Sequence, residues 1–98
     1  MKLLTKKIIR NIPNLYEQEG KGENAVVYVK FFLPGTRWTW YVTEFNTKDV
    51  FFGWVESGIS ADFDELGYFS LSELIEVNAE RDLYFEPKPL KEIIENNG

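Results

Sequence analysis

The sequence AVVYVKFFLPGTRWTWYVTEFNTKDVFFGWVES, residues 25–57, gives the strongest signal for secondary structure in the chain. It holds three runs rich in β-branched and aromatic residues, separated by the turn sequences PGT and NTKD. Such runs are typical of β-strands, and short polar connections join antiparallel neighbours. The stretch therefore predicts a three-stranded antiparallel meander.

Side-chain alternation assigns the meander residues to two faces of the sheet. On the first run, one face holds Ala25, Val27, Val29, Phe31 and Leu33. The turn around Pro34 and Gly35 has an even length, which places Trp38, Trp40 and Val42 on this same face. Both tryptophans are thus expected in the core.

The opposite face of the meander combines aromatic and basic side chains. Its members are Tyr28, Lys30, Phe32, Arg37, Thr39, Tyr41 and Thr43. Two interpretations of this face stay open. It can stack unpaired nucleic-acid bases, as aromatic and basic sheet faces do in several folds, or a helix can cover it.

The flanking segments add helices and further strands. Thr5 can cap an N-terminal amphipathic helix that ends before Pro13. Residues 65–70 predict a fourth strand, residues 71–77 a helix with the capping box Ser70 and Glu73, and residues 81–87 a fifth strand. A terminal helix begins after the prolines at 87 and 89 and carries the apolar stripe Leu90, Ile93 and Ile94. The pattern predicts an α+β fold: an antiparallel sheet of four to five strands with N-terminal, middle and C-terminal helices.

Length and composition limit the functional classes. Ninety-eight residues, 44% of them hydrophobic, predict a single domain over residues 1–98. The chain has no cysteine and no histidine, which removes disulfides and the commonest metal ligand and general base. Charges at Lys6, Lys7 and Arg10 interrupt any signal-peptide core, and no apolar run has the length of a membrane span. We expect a cytoplasmic protein without membrane contact.

Charge is unevenly distributed along the chain. The net charge is −5, yet residues 44–86 contain eleven acids and two bases, whereas residues 1–10 contain four bases and no acid. The candidate acidic surface comprises Asp49, Glu56, Asp62, Asp64, Glu65, Glu76 and Glu80. These carboxylates can contact the arginines and lysines with which a partner holds phosphate, or they can form a solvated face that maintains solubility.

No pattern of catalytic or metal-binding residues stands out. Asp62, Asp64 and Glu65 form the densest carboxylate cluster, but the following Leu66 and Gly67 do not fit a calcium loop. The glycine-rich sequence at residues 20–22 lacks the spacing of a phosphate loop and is interpreted as a flexible turn. We therefore expect no enzyme activity, no metal and no cofactor.

Several strings resemble the uncharacterised bacterial family known as domain of unknown function 2958. They are LYEQEGKGENAVVYVKFF, WTWYVTEF, FFGWV, ELGYFSLSEL and ERDLYFEPKPL, and the resemblance as a whole covers the chain from about Leu3 to Leu90. The chain departs from the family pattern between SLSELIEV and ERDLYF, where the connection is shorter. Members of the family resemble passengers of plasmids, conjugative elements and phages.

The resemblance and the charge pattern together suggest two functions. The first is a non-enzymatic interaction module of a mobile genetic element or phage that inhibits a host defence nuclease, of the anti-CRISPR or anti-restriction type. Its partner would be a host nucleic-acid-processing enzyme that contacts the seven acids. The alternative is a single-stranded nucleic-acid-binding accessory domain that uses Tyr28, Lys30, Arg37 and Tyr41. The sequence leaves the partner's identity and the oligomeric state open.

Overall fold

The computed structural model describes residues 2–97, which form a sheet with helices on both faces. The helices are α1 (Lys6–Asn11), α2 (Leu71–Glu76) and α3 (Leu90–Asn97). The strands are β1 (Val26–Val27), β2 (Val29–Phe32), β3 (Thr39–Phe45), β4 (Val50–Glu56), β5 (Glu65–Ser70), β6 (Glu80–Arg81) and β7 (Lys88–Pro89). Five of them form an antiparallel sheet in the order β5–β4–β3–β2–β6, and β1 pairs with β7. The predicted α+β fold with a central meander is confirmed.

The helices begin where the capping residues predict. The Thr5 hydroxyl accepts a hydrogen bond from the Ile8 amide at 3.2 Å, which starts α1. The Ser70 hydroxyl accepts one from the Glu73 amide at 3.1 Å, which starts α2. These bonds satisfy amide groups that have no partner within the first turn of a helix.

The sheet has a separate apolar cluster on each face. The α1/α2 face buries Leu3, Leu4, Ile12, Val29, Phe31, Val42, Phe45, Phe51, Phe69, Leu74 and Ala79. The α3 face buries Val27, Tyr41, Leu90 and Ile93. The terminal helix therefore covers part of the face that the sequence left open, and its predicted apolar stripe is the part that contacts the sheet.

The first predicted strand is interrupted at Tyr28, which changes the face assignment. Tyr28 lies between β1 and β2 and donates its amide hydrogen to the Val42 carbonyl at 2.8 Å. Val27 consequently packs on the α3 face, while Val29 and the half-buried Tyr28 pack on the α1/α2 face. The prediction that Val27 and Val29 share a face is wrong, because one residue between the two short strands resets the alternation.

A β-bulge interrupts β3 in the same way. Val42 pairs with Gly53 and Glu44 pairs with Phe52, so Thr43 is the extra residue. Its hydroxyl donates to the Phe52 carbonyl at 3.0 Å. The bulge brings Phe45 onto the same face as Val42, where both are buried.

The tryptophans are less buried than predicted. Trp40 lies opposite Phe31 and Val55 but is only half-buried, and Trp38 is 37% exposed. Their rings stack on each other at a centroid distance of 6.0 Å. Trp38 precedes β3 at the open end of the sheet, where the helices described above do not enclose it. The expectation that both form the core is wrong for Trp38.

The predicted fifth strand is confined to Glu80–Arg81. The Asp82 carboxylate accepts a hydrogen bond from the Tyr84 amide at 2.9 Å, which turns the chain away from the sheet edge. Leu83 is therefore exposed and does not share a buried face with the half-buried Phe85.

Candidate functional site

Four of the seven predicted acids lie at one end of the β4–β5 hairpin. Glu56 ends β4, Glu65 begins β5, and Asp62 and Asp64 lie in the connection between them; we call these four the hairpin acids. Asp62 and Glu65 are exposed to solvent. The Asp64 carboxylate accepts a hydrogen bond from the Ser57 amide at 3.1 Å. Negative charge is thus concentrated at this end of the sheet.

The structure separates the other three predicted acids from the hairpin acids. Asp49 precedes β4 at its opposite end, where its carboxylate accepts bonds from the Ser72 amide at 2.8 Å and the Ser72 hydroxyl at 2.9 Å. Glu76 ends α2, and Glu80 lies in β6 at the far edge of the sheet from β5. The seven acids do not form one continuous surface.

The four residues of the alternative nucleic-acid site do not share an open face. Tyr41 is only 4% exposed and packs in the cluster under α3, whereas Tyr28 packs on the opposite side of the sheet. The Lys30 ammonium lies 3.8 Å from the Asp82 carboxylate, and Arg37 lies in the β2–β3 connection, beside Gly58. A base can stack on Tyr41 only if α3 moves away.

An aromatic strip on the α3 face lies beside the hairpin acids and is partly open to solvent, although Trp54 also packs against the cluster under α3. By alternation, β4 contributes Phe52, Trp54 and Glu56, and the paired strand β5 contributes Leu66 opposite Trp54 and Tyr68 opposite Phe52. Leu66 is 38% and Tyr68 58% exposed. We call these five residues the β4–β5 strip.

Contacts within the β4–β5 strip hold its side chains in place. The Phe52 and Tyr68 rings meet edge to face at 4.9 Å. The Trp54 indole N–H donates to the Glu56 carboxylate at 3.2 Å, which joins the aromatic surface to the hairpin acids. Rigid aromatic groups of this kind lose little conformational entropy when a partner binds them.

A pocket of about 380 Å³ lies between the strip and the loop that precedes β1. Tyr16, Phe52, Leu66 and Tyr68 contribute its apolar lining, and Thr43 and Glu44 come from the bulged part of β3. The rest of the lining comes from the loop and the start of the sheet, namely Gln18, Glu19, Gly20, Gly22 and Ala25. We call this cavity the Tyr16–Tyr68 pocket.

The loop that forms one wall of the pocket is tied to the sheet by two buried side chains. The two carboxylate oxygens of Glu44 accept the backbone N–H groups of Tyr16 at 2.9 Å and Gln18 at 2.7 Å. The Gln18 side chain donates to the carbonyls of Val26 and Thr43 at 2.9 and 2.8 Å, and accepts from the Val26 amide at 2.8 Å. These bonds hold Tyr16 at a φ of 73°, a conformation that is uncommon for tyrosine. The loop is thus hydrogen-bonded to the sheet immediately before Gly20 and Gly22, which the sequence analysis assigned to a flexible turn.

Two acids, Glu19 and Glu44, line the pocket and give it negative charge. A side-chain hydrogen bond with Tyr16 raises the pKa of the Tyr68 hydroxyl, and the charges of Glu44 and Glu19 raise it further. The Tyr68 hydroxyl therefore remains neutral at physiological pH and can donate a hydrogen bond. Such a pocket favours positively charged groups over anions.

Sequence reasoning missed the aromatic strip and the role of Glu44. Alternation along residues 50–56 and 65–70 could have placed the strip residues on one face, but it could not show that α3 leaves them open. The signal for Glu44 was a single acid within an otherwise aromatic and β-branched strand. Its burial depends on contacts with a loop 26 to 28 residues away.

Two further observations concern metals and membranes. Among the residues that the structure describes, no three His, Cys, Asp or Glu side chains come together as a metal ion would require. Within residues 2–97, no helix has the length and apolar character needed to cross a membrane.

A family model described as "Protein of unknown function (DUF2958)" matches residues 2–95. A comparison with curated proteins and one with solved structures give no significant match.

Proposed function

This chain belongs to the DUF2958 family, whose function is unknown, and from that premise we propose that it is a non-enzymatic module that binds a partner protein through the β4–β5 strip and the hairpin acids. The observation that carries this proposal is the exposed aromatic surface next to a concentration of carboxylates. The partner surface would be basic, with apolar groups at its centre.

The composition of the β4–β5 strip supports protein binding. Tryptophan and tyrosine are the residues most often found at the energetic centre of protein interfaces. Trp54 is half-buried and held by Glu56, while Tyr68 and Leu66 are exposed beside it. An exposed apolar group of side chains bordered by charges is typical of an interaction surface.

The charge distribution supports a basic partner. Asp62 and Glu65 are exposed at the end of the strip, and the chain as a whole carries −5. Complementary charge accelerates encounter and disfavours acidic partners. Carboxylates at this position can occupy the arginines and lysines with which an enzyme holds phosphate groups.

We propose a nucleic-acid-processing enzyme as the partner, and a host defence nuclease within that class. The family's resemblance to passengers of mobile elements favours a defence nuclease. A non-enzymatic role is supported by the absence of histidine and cysteine from the sequence, because these residues serve most often as general bases and nucleophiles.

The test is affinity capture from a host lysate with charge-reversed variants. Asp62→Lys/Glu65→Lys removes two exposed hairpin acids and is expected to reduce strongly the capture of a basic nucleic-acid-processing enzyme. Glu76→Lys/Glu95→Lys changes the net charge equally and is expected to retain capture. Both control positions are exposed and lie in the last turns of α2 and α3, where lysine is favourable to the helix dipole.

Two outcomes would overturn the proposal. Equal capture by the two double variants would show that the hairpin acids do not form the contact surface. Capture that disappears when the lysate is treated with nuclease would show that nucleic acid, not a protein surface, is what the chain binds.

A further inference from the structure

We propose that the Tyr16–Tyr68 pocket receives an arginine side chain of the partner protein. The proposal rests on the proposed function for the existence of that partner, but it assigns a separate site with its own ligand chemistry. The pocket opens beside Leu66 and Phe52 of the β4–β5 strip, so a partner seated on the strip can reach it with one long side chain.

The charge of the lining selects a cation. Two acids, Glu19 and Glu44, line the pocket, and no lysine or arginine is among its lining residues. Glu44 is only 4% exposed, so its charge is poorly screened by water. An anionic ligand would be repelled, and a purely apolar one would further separate the carboxylate from water without replacing the lost interactions.

Glu44 retains hydrogen-bonding capacity toward such a ligand. Each of its oxygens accepts one backbone N–H group, from Tyr16 and from Gln18. A carboxylate has about four lone-pair positions in total, so further donors can be accommodated. The five N–H groups of a guanidinium are suited to carboxylate and hydroxyl acceptors arranged around a pocket.

The aromatic walls favour arginine over lysine. The guanidinium is planar and weakly hydrated, and it stacks on aromatic faces while its edges donate hydrogen bonds. Tyr16, Phe52 and Tyr68 supply the rings, and the tyrosine hydroxyl oxygens can accept hydrogen bonds. A cavity of about 380 Å³ is large enough for a guanidinium and part of its methylene chain.

Hydrogen bonds of two side chains hold the pocket in shape without a ligand. The bonds from Glu44 and Gln18 fix the loop, and they hold Tyr16 in its left-handed conformation. A preformed site avoids the cost of ordering the loop during binding. Glu44 therefore both fixes the loop and contributes negative charge to the pocket, while the neutral Gln18 only fixes the loop.

The experiment is an NMR titration of the full chain with short capped peptides, in the absence of any partner. The probe is acetyl-Gly-Arg-Gly-amide, and its matched control contains citrulline, which has nearly the same shape without the charge. The arginine peptide is expected to shift the amide signals of Tyr16, Gln18, Glu44 and Tyr68 in a saturable way. The citrulline peptide is expected to bind at least about tenfold more weakly, equivalent to about 1.4 kcal/mol.

Variants and a second peptide make the assignment specific. Tyr68→Ala removes an exposed ring without disturbing the Glu44 bonds and is expected to weaken arginine-peptide binding about tenfold or more. The Glu76→Lys/Glu95→Lys variant is expected to bind as the parent does. Equal binding of the citrulline peptide, tighter binding of the corresponding lysine peptide, or no saturable shift at these amides would each overturn the proposal.

This test is independent of the capture experiment. A pocket that binds the arginine peptide in a chain whose capture is insensitive to Asp62→Lys/Glu65→Lys would uphold the arginine site and refute the proposed partner surface. Capture that depends on those acids without any arginine-peptide binding would refute the pocket assignment alone.

Discussion

Trp40 and Trp38 stack on each other but contribute differently to stability. Trp40 lies between Phe31 and Val55 of the neighbouring strands, while Trp38 retains 37% of its exposure at the end of the sheet. We expect Trp40→Ala to lower the free energy of unfolding by about 3 kcal/mol, the lower end of the range for large aromatic residues. Trp38→Ala is expected to cost about 1 kcal/mol, because much of its ring already contacts water.

Urea denaturation of the two variants measures this difference. Trp38→Phe is the matched control, since it keeps an aromatic ring next to Trp40 and is expected to restore most of the loss. Equal destabilisation by Trp38→Ala and Trp40→Ala would mean that both rings belong to the core, as alternation alone predicted.

The burial of Gln18 and Glu44 could not be predicted from the sequence. Both belong to polar residue types that are mostly exposed in proteins. Glu44 stands out as the one acid in its strand, but the local sequence does not show that either side chain is buried. In the structure each is buried and hydrogen-bonded to backbone groups of other segments. Because burial of this kind follows from tertiary contacts, the pocket that they build could not be inferred from the sequence.

For the helices and strands, the local sequence predicted the elements themselves better than it predicted how the strands pair. The meander, the two helix caps and the apolar stripe of α3 were all predicted from alternation, capping residues and helical spacing. The interruption at Tyr28 and the bulge at Thr43 were not, because either one changes the phase of alternation without changing the composition of the strand. The interruption at Tyr28 is the reason why Tyr28 and Tyr41, which alternation assigned to one face, lie on opposite faces.

Asp49 stabilises the start of α2. Its carboxylate accepts both the amide and the hydroxyl of Ser72. We expect Asp49→Ala to lower the free energy of unfolding by about 1 kcal/mol, the typical loss of a helix cap. Asp49→Asn retains an acceptor oxygen and is expected to recover most of this loss in thermal denaturation.

The same variants separate a structural role from a binding role for Asp49. If Asp49→Ala leaves stability unchanged but prevents partner capture as Asp62→Lys/Glu65→Lys does, Asp49 contacts the partner, as the sequence predicted. From the structure we instead expect Asp49→Ala to lower the free energy of unfolding and to leave partner capture unchanged.

At the scale of the whole molecule, the helices cover the sheet unequally. Helices α1 and α2 enclose one face, and α3 encloses the part of the other face around Val27 and Tyr41. The C-terminal part of α3 borders Lys30 and Asp82 on the β2–β6 side, so β4 and β5 remain the less covered side of this face. The fold thereby exposes an aromatic surface at the end of the sheet where carboxylates are concentrated.

This arrangement predicts that charge and aromatic contact act on different steps of association. Charges at the edge of an interface mainly change the rate of encounter, whereas buried anchor residues mainly change the rate of dissociation. We expect Asp62→Lys/Glu65→Lys to slow association with the captured enzyme and to weaken its dependence on salt. Tyr68→Ala is expected to leave association nearly unchanged and to accelerate dissociation about tenfold or more, as loss of an interface anchor does.

Surface plasmon resonance at several salt concentrations measures both steps. For the parent chain, association should slow as salt rises, because electrostatic attraction is screened over about 10 Å at 0.1 M ionic strength. Glu76→Lys/Glu95→Lys serves as the control for net charge and should retain most of the parent's association rate. The opposite result is that Tyr68→Ala slows association while the acid reversals change only dissociation. It would contradict the assignment of association to the hairpin acids and of dissociation to the aromatic side chains. It would place the hairpin acids within the desolvated centre of the interface, where removing one partner of a charge pair leaves the other buried without compensation.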